Sequence, residues 1–419
     1  MLRRTLLGGA GAGVLLAGCN GPGRLASLPV KLRGTASFGG LPPDTRVVLD
    51  GSDDAVLGRI ATEGLRREFA YAEKTGGREL GTANYLAISG GGENGAYGAG
   101  LLTGWTVLGT RPEFKGVTGV STGALIAPFA FLGPAYDAQL ERFYTTIDRG
   151  DVMRSRGLIT ALLRDSLYDS TPLLNLIRGA LTPEMVAAIG REYSEKGRLL
   201  LVGTTNLDVP VGVLWNIGDI AASGRQDATE LIAKILLASA SIPGAFPPVM
   251  IDIESGGHHF QEMHVDGGTV AQVMLYPPSL SSNDFRFDHA PEKERLRATL
   301  EKRPFRLFII RNARSGPDFE TVDRSTLSIA GRAISALISA QGVGDLYQLF
   351  VLARRDRMDY NATWIPESFS ERPSEPFERG YMNRLFQVGR TAIAGGNAWS
   401  KYPPGFNPVP ISGQRAPAG

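Results

Sequence analysis

This chain has little of what most often reveals a mechanism or holds a fold covalently. It has one cysteine in 419 residues, so no intrachain disulfide can form. It has four histidines, His258, His259, His264 and His289. No His/Cys/carboxylate cluster with ligand spacing is visible, and His258-His259 reads as a surface pair rather than a ligand pair, so no metal and no cofactor is expected. Net charge is only +2, which gives no electrostatic case for a nucleic acid partner. There is no internal repeat. Glycine is abundant instead: 53 residues, spread without period, which excludes a collagen-like chain. With 43% hydrophobic residues the chain can bury a large core.

Residues 1–19 read as a signal segment outside the fold. Arg3 and Arg4 give a basic start, and residues 6–17 form an apolar stretch too short to span a bilayer. The stretch ends in Leu16-Ala17-Gly18-Cys19, which resembles a bacterial lipobox. That resemblance implies a lipidated Cys19 as the mature N-terminus and a membrane-anchored protein of the cell envelope. Asn20 implies sorting to the outer membrane, facing the periplasm. Residues 20–45, rich in Gly and Pro, read as a tether. The tether and an N-terminal segment together are expected to occupy residues 20–80.

Further along, apolar spacing predicts helices over 53–74, 96–107, 122–132, 231–241, 325–354 and 377–394. Short apolar runs predict strands over 85–88, 114–120, 199–205 and 305–311. Strand, turn and helix occur twice in succession before residue 132. That pattern argues for an α/β fold with parallel strands. Residues 81–320 are expected to form the main domain and 321–402 a helical extension packed on it. The Pro- and Gly-rich residues 403–419 are expected to be a disordered tail.

Two glycine-flanked turns carry the chemistry. The first, Ser89-Gly90-Gly91-Gly92-Glu93-Asn94-Gly95, follows a strand and opens a helix. Its backbone N–H groups can face a developing negative charge, so Gly90, Gly91 and Gly92 are candidate oxyanion donors. It also matches the Gly-x-Gly-x-x-Gly dinucleotide fingerprint. A dinucleotide site needs an acid at the end of the next strand, where this chain has Gly119-Val120-Ser121. The second turn, Gly119-Val120-Ser121-Thr122-Gly123, would expose the Ser121 hydroxyl at a sharp strand-to-helix turn. Gly119 and Gly123 leave room there, and the helix N-terminus behind Ser121 favours an alkoxide. A nucleophilic serine needs a base. His289 would serve in a triad; Asp266, in His264-Val265-Asp266-Gly267-Gly268, would serve in a dyad if burial raised its pKa.

The first turn, the second turn and Asp266-Gly267-Gly268 lie in the order and rough spacing of patatin-like phospholipases, and the chain resembles that family. Residues 238–248 and Thr204-Thr205-Asn206-Leu207-Asp208 resemble further blocks of it. The resemblance implies a three-layer α/β/α sandwich around a central, mostly parallel sheet. It implies Ser121 as nucleophile, Asp266 as base and Gly90–Gly92 as oxyanion loop, supported by Gly95, Gly119, Gly123, Gly267 and Gly268. The implied activity is hydrolysis of a lipid ester, of phospholipase A, lysophospholipase or esterase type. The alternative is a lipid-binding or scaffolding lipoprotein of the same fold without catalysis. One position departs from the pattern: Asn94 stands where the family usually carries Arg or Lys, so the bracing of the loop is expected to differ.

Overall fold

The computed structural model describes residues 23–77, 80–156, 165–276, 300–316 and 321–406, with Ser279, Ala298 and Phe319. Cys19 with the expected signal segment, His289, and residues 407–419 lie outside these described residues.

The first half of the chain forms β1 (Ser37–Phe38), β2 (Arg46–Val48), α1 (Asp54–Lys74), β3 (Ala83–Ile88), α2 (Gly95–Val107), β4 (Gly116–Val120), α3 (Thr122–Leu132) and α4 (Asp137–Thr145). Two short strands, β5 (Arg154–Ser155) and β6 (Tyr168–Asp169), pair apart from the main sheet. Then come α5 (Thr171–Ala180), α6 (Pro183–Lys196), β7 (Leu199–Asn206), β8 (Val211–Asn216), α7 (Ile217–Ala222) and α8 (Ala228–Ser239). The chain closes with β9 (Val249–Ser255), β10 (His258–Asp266), β11 (Phe305–Arg314), α9 (Thr326–Arg355), β12 (Met358–Ile365) and α10 (Arg379–Ala394).

Five strands, β7-β4-β3-β11-β12, run parallel through the centre of a ten-stranded sheet. Antiparallel strands extend it beyond β7. Both faces of the parallel strands are buried, as helical crossovers require. In β11, Phe308 and Ile310 pack into the cluster that holds α2, α3 and α10, while Leu307 and Ile309 pack against Leu346, Leu349 and Leu352 of α9. Farther along the second face, Leu57 and Ile60 of α1 cover Leu199, Leu201 and Leu214. This is the expected three-layer arrangement. Helix α2 is buried all round because α10 lies over its outer side. The two backbones nearly touch: a Cβ on Gly100 would sit 1.9 Å from the Phe386 carbonyl oxygen.

One sheet crosses the expected domain boundaries. Strands β1, β2 and β12 belong to the same sheet as the strands between residues 81 and 320. Helix α1, expected to lie in an N-terminal segment, seals part of one face. Residues 403–406, expected to belong to a disordered tail, are packed: the Phe406 ring lies 5.2 Å from Phe350.

Candidate active site

Strand β7 has two edges and three partners. β8 lies along Leu201–Asn206. On the other edge, β4 pairs with the first half, ending at Val120 opposite Gly203, and β10 pairs antiparallel with the second half, ending at Asp266 opposite Thr204. β4 and β10 therefore meet end to end on one edge of β7. Ser121 follows the last residue of one, and Asp266 is the last residue of the other.

Ser121 turns the chain sharply into α3. Its φ is 56° and ψ −126°, a conformation that costs a non-glycine residue about 1–3 kcal/mol. The turn is held from outside: the Ser121 amide donates to Ser239 Oγ (2.9 Å), and that hydroxyl donates to the Gly203 carbonyl (2.6 Å). The flanking glycines are required by close approach. A Cβ on Gly119 would meet the Gly123 carbonyl oxygen at 2.3 Å, and one on Gly123 would meet that of Ile88 at 2.3 Å. Gly95 likewise lets α2 start against Thr122.

The Asp266 carboxylate is buried and accepts the Gly268 amide at 2.7 Å. Burial pushes the Asp266 carboxyl up to about 6, with the Ser121 side chain and the Gly268 amide pulling the other way. Gly267 packs on the Gly203 backbone, and Gly268 lies under the side chain of Gln272. The structure therefore brings Ser121 and Asp266 together.

The first glycine turn stands beside them. Gly91 and Gly92 have φ values of 152° and 56°, open to glycine and unfavourable for other residues. Among the described residues their N–H groups have no acceptor. Gly90 differs from expectation: its N–H donates to the Gln272 carbonyl at 3.3 Å, so it is not free for an oxyanion. Its Cα still borders the site, where an added Cβ would lie 3.1 Å from Ser121 Cβ. The turn is fixed by Asn312 at the end of β11. The Asn312 amide donates to Ser89 Oγ (2.8 Å), its Nδ2 donates to the Ser89 carbonyl (2.9 Å), and its Oδ1 accepts from the Gly98 amide (3.1 Å). Asn94 is held from α10, where the Tyr381 hydroxyl donates to its Oδ1 (2.7 Å).

Gln272 ties the parts together. Its amide donates to Asp345 Oδ2 of α9 (2.6 Å), and its Nε2 donates to the Gly268 carbonyl (3.0 Å). Ser239, Gln272, Asn312 and Tyr381 were not foreseen. The signals available were slight: Ser239 lies in the 238–248 block, and Asn312 follows the expected strand 305–311 by one residue. Gln272 and Tyr381 carried no signal in the sequence.

Next to Ser121 lies a narrow apolar pocket of about 40 Å³. Leu125, Phe143, Ile147, Leu173, Leu176, Ile242 and Phe246 line it, with Phe377 at its side.

None of the described histidines bonds Ser121 or Asp266. His258 and His259 are exposed at the β9–β10 turn. His264 is wholly buried and bonds Thr204 Oγ1 through Nδ1 (2.9 Å) and Glu262 through Nε2 (3.1 Å). Burial lowers its pKa, against the opposing pull of Glu262. The neutral ring then carries its proton on Nε2, facing the carboxylate. Glu262 also pairs with buried Arg46. Among the described residues, no group of three or more His, Cys, Asp or Glu is placed to hold a metal ion.

Residues 86–277 match the family model described as Patatin-like phospholipase. No curated protein matches the chain. Among solved structures it is similar to VipD from Legionella pneumophila, with 13% sequence identity and a TM-score of 0.36. That similarity covers 74% of this chain and 66% of VipD, so the chain spans just under two thirds of VipD's length. The sheet, the two glycine turns and the matched residues agree: this chain carries a patatin-like phospholipase domain.

Proposed function

We propose that the chain is a serine lipid acyl hydrolase working through a Ser121–Asp266 dyad. One observation carries this reading: Ser121, in a conformation its neighbours impose, stands at the junction on β7 beside the buried carboxyl of Asp266, which burial pushes up to about 6. A carboxylate of ordinary pKa is a weak base toward a hydroxyl; the raised value improves the match at neutral pH while leaving the group mostly ionised. Ser121 Oγ attacks the ester carbonyl carbon and its proton passes to Asp266. The carbonyl oxygen becomes an oxyanion facing the Gly91 and Gly92 amides, each such donor being worth about 10²–10³ in rate. Collapse expels the alcohol, which takes the proton back from Asp266. Water, deprotonated by the same carboxylate, then frees the fatty acid and restores the serine.

The apolar side chains beside Ser121 match an acyl chain in polarity. A lipid anchor on Cys19, at the outer membrane facing the periplasm, would hold the enzyme beside its substrate. What supports this is the 16–19 sequence pattern.

The test is labelling with a fluorescent alkyl fluorophosphonate. Wild type and His289→Ala should label, whereas Ser121→Ala and Asp266→Asn should not. Failure of folded wild type to label, with or without lipid vesicles, overturns the proposal.

A further inference from the structure

Helix α9 is too long for its place in the sheet. It connects two parallel strands, β11 and β12, and so runs back antiparallel to them. Those strands have ten and eight residues, or about 33 and 26 Å. The helix has 30 residues, or about 45 Å. Its second half does the packing: Leu346, Leu349, Leu352 and Ala353 are buried against the sheet. The surplus lies at the N-terminal end, past the C-terminal edge of the strands, where Ser121 and Asp266 are placed.

That surplus, residues 328–340, has the wrong composition for a helix in water. Its one ionisable residue is Arg332. Ile329, Ile334 and Leu337 are 55%, 46% and 70% exposed. Ala330, Gly331, Ala333, Ser335, Ala336, Ser339 and Ala340 are exposed too. At 100° per residue Ile329, Ile334, Leu337 and Ile338 fall on one half of the circumference, and Ser328, Arg332, Ser335 and Ser339 gather on the other. An exposed apolar half opposite a face with a single charge suits an element lying in the plane of an interface. Residues 328–355 are long and apolar enough to cross a membrane, yet only 33% of their most apolar window is buried. The root of the arm is fixed to the catalytic loops: Arg311 Nη2 donates to the Ser339 carbonyl (3.1 Å), and Gln341 Nε2 donates to the Val270 carbonyl.

We propose that residues 328–340 form an arm that embeds in the surface of a lipid bilayer and presents the Ser121 edge of the sheet to it. An apolar half backed by three serines and one arginine lies in a bilayer surface with the serines toward the headgroups. The functional part of the proposal rests on the hydrolase reading above; the embedding does not.

The test uses the full chain with Cys19→Ser, so that a single introduced cysteine takes an environment-sensitive NBD label. One label is placed at Leu337→Cys. The other is at Val107→Cys, 75% exposed at the far end of α2, where the opposite edge of the sheet lies. Vesicles of phosphatidylethanolamine and phosphatidylglycerol should shift the emission of the Leu337 label to the blue and expose it to quenching by brominated lipid. The Val107 label should stay aqueous. In unlabelled protein, Ile334→Asp with Leu337→Asp should slow hydrolysis of those vesicles by at least about tenfold. Hydrolysis of a soluble short-chain nitrophenyl ester should not change.

A Leu337 label that stays in water with vesicles present overturns the proposal. So does a blue shift that needs only high protein concentration, which would mark contact with a second copy. Equal vesicle hydrolysis by wild type and the double variant also overturns it. If wild type hydrolyses neither substrate, the hydrolase reading fails, and the label still decides whether the arm embeds.

Discussion

The hydroxyl of Tyr381 donates to the side-chain oxygen of Asn94 at 2.7 Å, joining the last helix to the turn that faces the nucleophile. Asn94 has no charge of its own with which to hold that turn, and α10 supplies the restraint. Tyr381→Phe removes one hydrogen bond and leaves the ring packed against Phe369. A buried partner left unsatisfied costs about 1–2 kcal/mol. If that cost falls on the position of Gly91 and Gly92, kcat toward a soluble ester drops by about five- to thirtyfold with little change in KM. Unchanged kcat in a folded variant would show that the turn holds without Tyr381.

The strained backbone at Ser121 predicts an inversion of the usual glycine penalty. Glycine normally destabilises relative to alanine. At a φ of 56° and ψ of −126° the alanine side chain keeps the strain and glycine releases it. Ser121→Gly should therefore be more stable than Ser121→Ala by about 1 kcal/mol in chemical denaturation, and both should be inactive. Equal stability would mean that the turn carries no strain.

Asp266 predicts opposite effects on activity and stability. Its pKa in the fold is about 6, raised from 3.8. A carboxyl raised on folding favours the native state below its unfolded pKa, and that contribution is lost as pH climbs through the folded value. Wild type therefore loses of order 2–3 kcal/mol between about pH 4 and pH 7 through this group. Asp266→Asn escapes the loss. Its midpoint in urea at pH 8 should exceed that of wild type, and the advantage should vanish near pH 4. Over the same range kcat/KM of wild type should rise with pH and level off above about 6. An Asn variant no more stable than wild type at pH 8 would place the Asp266 pKa near its ordinary value.

What could be read from the sequence follows from locality. The turns at 89–95 and 119–123 sit between a strand and a helix that the sequence marks, so both faces of each turn are visible within a few residues. Asp266 could be picked out because glycines follow it, although β10 itself alternates too little to announce a long strand. Tyr381, Gln272 and Asn312 act across large sequence separations, and nothing beside them in the chain reports the partner. The error at Gly90 has the same origin. A glycine run shows that backbone can approach something; it does not show that the Gln272 carbonyl already occupies the amide. That the sheet runs across the expected boundaries was not visible either: β12 completes a sheet begun before residue 90, and composition does not report strand order.

The junction on β7 also affects how the enzyme comes into being. Val120 and Asp266 come from distant parts of the chain and abut only after β7, β4 and β10 have joined. No fragment ending before β10 can hold both reacting groups, however well its glycine turns form. The lipid hydrolase proposed above would thus be inactive while incomplete. Under the proposed mechanism, activity would wait until β10 closes beside Ser121.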